Sequence, residues 1–76
     1  MLDMNVYRFV IKQLAQERGF NIASLSRVAN VPIKTIRNVW HNPRYPLPMD
    51  AQERIAKALN VSIHDLFEEG EDIPDS

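Results

Sequence analysis

At 76 residues, with 45% hydrophobic and 25% charged side chains, the chain suits one small domain and is too apolar for disorder over most of its length. No apolar run approaches the roughly 18 residues of a membrane span, Met1-Leu2-Asp3-Met4-Asn5 lacks the basic and apolar regions of a signal peptide, and no cysteine offers a disulfide or a thiolate metal site. The net charge of −1 hides a segregation: all nine bases lie before Glu68 with five acids among them, and the five acids from Glu68 to Asp75 have no base beside them. Nothing acidic stands between Glu17 and Asp50, so Arg27, Lys34, Arg37 and Arg44 are unopposed in sequence. That asymmetry points to a polyanionic partner for the middle of the chain and a solvated tail at its end. A reducing, cytoplasmic setting is expected. His41 and His64 are too few for a histidine zinc cluster, and so short a chain has little room for a catalytic pocket of a few hundred Å³.

Helical periodicity dominates. Val6, Val10, Ile11 and Leu14 share one helical face, which predicts a first helix over about 5–18. Asn5 or Asp3 would cap it and Gly19 would end it. Phe20 then enters the core. A second helix, about 22–29, starts at the cap Asn21 and turns Leu25, Val28 and Ala29 inward. Pro32 disfavours helix at Val31, and Asn30 tolerates a positive φ, so Asn30-Val31-Pro32 reads as a tight turn with Pro32 opening the next helix.

The third helix, about 32–41, places Ile36 and Val39 inward, with Thr35 and Trp40 at the margins and Ile33, Lys34, Arg37 and Asn38 outward. Asn42-Pro43-Arg44-Tyr45-Pro46-Leu47-Pro48 has three prolines in seven residues and reads as an extended loop. A fourth helix, about 48–59, carries Asp50 and Glu53 in its first turns, where they suit the helix dipole rather than a catalytic dyad. Met49, Ile55, Ala56 and Leu59 are its expected apolar face, and Asn60 its C-cap. Ser62 would cap a fifth helix, about 63–69, with Ile63, Leu66 and Phe67 inward and His64 on the surface. No strand or repeat is expected. The division is a domain over 1–69 and an acidic tail over 70–76.

The bend between the second and third helices has the residues that a steep helix crossing needs: small Ser26 at the contact, left-handed Asn30 at the bend, and Val31 after it. On these residues the chain resembles the lambda-repressor-like, Cro/repressor or XRE-type helix-turn-helix proteins. The resemblance covers about residues 6–67. It rests on Phe20-Asn21-Ile22-Ala23-Ser24-Leu25-Ser26, Asn30-Val31-Pro32, Lys34-Thr35-Ile36 and, most specifically, Ile55-Ala56-Lys57-Ala58-Leu59-Asn60-Val61-Ser62-Ile63-His64-Asp65-Leu66-Phe67. It implies an all-α, five-helix fold that binds double-stranded DNA and regulates transcription, without enzymatic activity or cofactor.

The departures from that family are local. Ile22 stands where a phosphate-binding glutamine is usual, Asn30 where glycine is, and Gln52 where a buried leucine is preferred. Pro32 follows Val31 where Ser or Thr is frequent, and Trp40-His41-Asn42 replaces the usual end of the third helix.

The resemblance maps base contacts onto Ile33, Lys34, Arg37 and Asn38. Arg37 and Lys34 suit guanine O6 and N7, Asn38 suits adenine, and Ile33 either packs on a thymine methyl or belongs to the core. Phosphate contacts fall to Asn21 and Ser24 at the start of the second helix and to His41, Asn42, Arg44 and Tyr45 on the exit loop, with His41 equally readable as a helix cap. Trp40 reads more readily as a core or rim aromatic than as a base stacker. A homodimer on a two-fold operator is one arrangement, and a protein-interaction module on the same fold, antitoxin-like or adaptor, is the competing reading with a protein partner. A membrane role is not expected.

Overall fold

The segment ahead of Ile22 sets the start of the helix that follows it. Asn21 Oδ1 accepts from the Ser24 N–H at 2.8 Å, and Ser24 Oγ accepts from the Asn21 N–H at 2.9 Å, a reciprocal cap of two donors that would otherwise be orphaned. The computed structural model describes residues 7–69, in the order β1 (Tyr7–Phe9), α1 (Ile11–Glu17), α2 (Ile22–Ala29), α3 (Ile33–His41), α4 (Met49–Leu59), a 3-10 turn (Ile63–Leu66) and β2 (Phe67–Glu69). The expected second, third and fourth helices stand within a residue of their predicted limits, with Pro32 and Pro48 as N-caps rather than first helical residues. The fold is all-α in class. No described helix is long and apolar enough to cross a membrane.

The ends of the domain depart from the expectation of five helices and no strand. The first helix begins at Ile11, not near residue 5, and the expected caps Asn5 and Asp3 lie outside the described residues. The expected helix over 63–69 is a 3-10 turn followed by a strand. The reason is tertiary. The Phe9 N–H donates to the Pro43 carbonyl at 2.7 Å and the Val10 N–H to the Leu66 carbonyl at 2.7 Å, so the donors that would begin a longer helix are already engaged. β1 and β2 pair antiparallel, with Arg8 opposite Glu68 and Phe9 opposite Phe67. Arg8 Nη2 lies 3.0 Å from Glu68 Oε2, and the two phenyl rings meet edge to face with centroids 5.7 Å apart. This ribbon clasps the two ends of the domain together.

The core runs through every helix: Ile11, Ala15, Leu25, Ala29, Val31, Ile36, Val39, Trp40, Leu47, Ala51, Ile55, Ala56, Leu59 and Leu66 are buried. Two residues expected inward are not. Val28 and Met49 are each 58% exposed, Val28 beyond the edge of its helix's buried stripe and Met49 at the first residue of α4. Ala51 is buried on α4 instead. Gln52 sits near the middle of that stripe, half-buried, and its Nε2 donates to the Leu47 carbonyl at 3.0 Å. The amide thereby satisfies its polar head where leucine would only fill space.

Candidate nucleic-acid interface

A recognition surface must be held rigidly from behind, and the bend before α3 is where that begins. Asn30 takes φ 59° and ψ 47°, the left-handed conformation, and its N–H donates to the Ser26 carbonyl. The Val31 N–H donates to the same carbonyl at 3.2 Å. In return the Ser26 hydroxyl donates to the Val31 carbonyl at 2.7 Å. Ser26 is therefore more than a small residue at the helix contact: it holds both sides of the turn. Across the bend Arg54 of α4 donates from Nη1 to the Asn30 carbonyl at 3.2 Å while its Nε meets Asp50 Oδ1 at 3.3 Å.

From below, Ile36, Val39 and Trp40 fix α3 in the core. Trp40 is buried, which agrees with a core or rim aromatic. What remains outward is one continuous face. Ile33, Lys34, Arg37 and Asn38 are all exposed, at spacings that put them on one side of the helix. Ile33 is 42% exposed, so it is not a core residue. Among the described residues no acid forms an ion pair with Lys34 or Arg37. Arg8 pairs with Glu68, Arg18 with Glu17 and Arg54 with Asp50, all off this helix. Glu68, Glu17 and Asp50 are thus paired elsewhere, and the α3 face keeps its positive charge.

The remaining candidates flank that face in two groups. At the start of α2, Asn21 is exposed and Ser24 half-buried. Their side chains are joined in the reciprocal cap, which uses Asn21 Oδ1 and leaves its amide nitrogen out of the box. On the other side, His41 ends α3 and is exposed. Asn42 follows as C-cap, and its Oδ1 accepts from the Arg44 N–H at 3.1 Å. The Tyr45 N–H donates to the Asn42 carbonyl at 2.9 Å, and the Tyr45 ring packs partly against the core. With Pro43 bonded to Phe9 as well, the exit loop is fixed at several points. Asn42 and Arg44 are exposed on it.

Ile22 is half-buried and packs on the core, so its side chain serves the hydrophobic interior where the resembling family uses a polar one. The positioning roles of Ser26 and Arg54 escape a sequence reading, because the first looks like a spacer and the second like a solvated helix charge. For Ser26 the only signal is its proximity in sequence to the bend; Arg54, 24 positions from Asn30, carries none.

Comparison with known proteins adds one finding. Residues 10–70 match a family profile, that of the Cro/C1-type HTH DNA-binding domain. No curated protein and no solved structure matches the chain.

Proposed function

Since the chain belongs to the Cro/C1-type helix-turn-helix DNA-binding family, we propose that it binds double-stranded DNA in a sequence-specific way and regulates transcription, with α3 in the major groove. The observation that carries this reading is the α3 face itself. Four exposed side chains of complementary chemistry stand on it with no acid among them, while Ile36 and Val39 are locked beneath. Arg37 and Lys34 donate to guanine edges, Asn38 pairs with adenine, and Ile33 covers a thymine methyl. The flanking groups at the start of α2 and on the exit loop supply phosphate contacts, which set register but carry no sequence information. Two copies on a two-fold operator give the binding its length.

The test is selection of bound duplexes from a random library, followed by titration of the selected duplex and a scrambled one at two salt concentrations. A selected duplex bound at least about a thousandfold more tightly than the scrambled one supports the reading, being the lower end for specific binders. Equal affinity for both overturns it.

A further inference from the structure

A second charged surface lies beside α3, outside the face already described. Its groove, about 400 Å³, is bounded by β1, the first turn of α1, the last turn of α3 and the start of the exit loop, and is lined among others by Arg8, Lys12, Gln13, Trp40, His41 and Glu68. Arg8 of β1, Lys12 and Gln13 of α1 and His41 of α3 thus bring donor side chains together from three elements. Lys12 and His41 are exposed, and among the described residues neither forms an ion pair with a carboxylate. Arg8 is held by Glu68 through Nη2 at 3.0 Å and Nε at 3.3 Å, both side chains being about half exposed. The groove's one acid is therefore matched by Arg8, which leaves the Lys12 ammonium in excess and the His41 imidazole without a carboxylate partner among the described residues.

We infer that this groove binds a backbone phosphate of the same duplex that α3 reads, beyond the base pairs that α3 contacts. The inference rests on the proposed DNA-binding role. A phosphodiester carries one negative charge with acceptor oxygens, which suits the Lys12 ammonium, the Gln13 amide and the His41 imidazole. Continuity gives the ligand its source. His41 belongs both to α3 and to the groove, so a duplex lying along α3 brings its sugar–phosphate strand past this end of the helix. Arg8 makes the site adjustable, because the Glu68 carboxylate competes with the phosphate for its guanidinium.

The experiment measures affinity against salt for the full chain and three variants, Lys12→Ala, Glu68→Gln and Lys57→Ala, on the selected duplex, on a scrambled duplex and on a selected duplex cut back to the base pairs under α3. Lys57 lies on α4 and lines other grooves, so its variant reports the effect of net charge alone. For Lys12→Ala the expected result is a loss of about fivefold near 0.15 M salt, what a slope of about 0.9 per phosphate gives. The loss should be equal on selected and scrambled duplexes, absent on the shortened one, and accompanied by a salt slope lower by about 1 per subunit. Glu68→Gln should tighten binding to the long duplexes more than to the shortened one. Wild-type protein that discriminates between duplexes, with Lys12→Ala no different from Lys57→Ala, overturns the groove assignment and leaves the α3 reading standing. Wild-type protein that binds selected and scrambled duplexes alike overturns both. Loss of an acidic peptide's binding in Lys12→Ala, with DNA binding unchanged, assigns the groove to a protein partner and overturns it as well.

Discussion

Arg54 reaches across from α4 to the bend before α3, its Nη1 donating to the Asn30 carbonyl at 3.2 Å. The helix that faces DNA in the proposed mode is thereby tied to a helix on the far side of the bend. The same guanidinium is paired with Asp50 one turn earlier. Exposed ion pairs of this kind contribute little, so the bond to Asn30 is the consequential one. Arg54→Met, which keeps most of the packing stem, should lower stability by about 1 kcal/mol. Urea unfolding checks this, and an unchanged midpoint would show that the bend holds without it.

Asn30 itself makes a sharper case, because its φ of 59° is a backbone requirement and not a contact. Asn30→Gly should leave stability within about 0.5 kcal/mol, since glycine enters this conformation freely. Asn30→Ala should lose about 1 kcal/mol, since alanine keeps the β-carbon strain of the left-handed region without the local hydrogen bonding by which asparagine offsets it. Thermal unfolding of the pair compares them directly. Equal melting temperatures would mean that the bend relaxes to another geometry.

The contrast between what the sequence announces and what it conceals follows the range of the interactions. α2, α3 and α4 are legible because their signals are local: the Asn21 and Ser24 cap, left-handed Asn30 and Asn60, and apolar stripes within each helix. The β1–β2 ribbon is not, because Arg8 and Glu68 are 60 positions apart and three-residue strands carry no periodicity of their own. Val10 and Ile11 fit a helical stripe equally well until the Leu66 carbonyl claims the Val10 N–H. Arg18 shows the same limit: it reads as the last charge of a helix, yet its Nε donates to the Leu59 carbonyl at 3.0 Å and ties α1 to the end of α4. The outward face of α3 is legible for the reason α3 is. The groove holding Lys12 and His41 is not, since only the folded chain brings those segments together.

Ile36 is fully buried under the α3 face. Ile36→Val should cost about 0.5–1.5 kcal/mol and Ile36→Ala about 2–5 kcal/mol, the transfer loss plus the cavity left behind. In a domain this small the second figure is comparable with the whole stability. Denaturant titration of both variants is the check, and a cost under 0.5 kcal/mol for Ile36→Ala would show that the site collapses freely.

On the outer face, Arg37→Ala should weaken binding to a selected duplex by about 1–3 kcal/mol and relax preference at one base pair, through loss of a bidentate guanine contact. Arg44→Ala, on the pinned exit loop, should instead weaken all duplexes alike and lower the salt slope by about 1 per subunit. Titrations across single-base variants of the duplex separate the two. A uniform loss for Arg37→Ala would make it a phosphate contact, and a sequence-selective loss for Arg44→Ala would reverse its role.

The acidic end of the chain supplies the last test. Residues 71–76 lie outside the described part and contain Glu71, Asp72 and Asp75 with one aliphatic residue, Ile73. A segment with so little apolar surface does not offset the entropy of ordering it, so its deletion should leave the melting temperature nearly unchanged. Its negative charge repels a polyanion. Deletion should therefore tighten binding to scrambled duplex at low salt, and the gain should fade as salt shortens the Debye length to about 3 Å near 1 M. A melting temperature lowered by many degrees would show that Ile73 is docked on the domain or on a second copy. The tail would then be an assembly element, and the boundary proposed between a domain over 1–69 and a separate tail would fall.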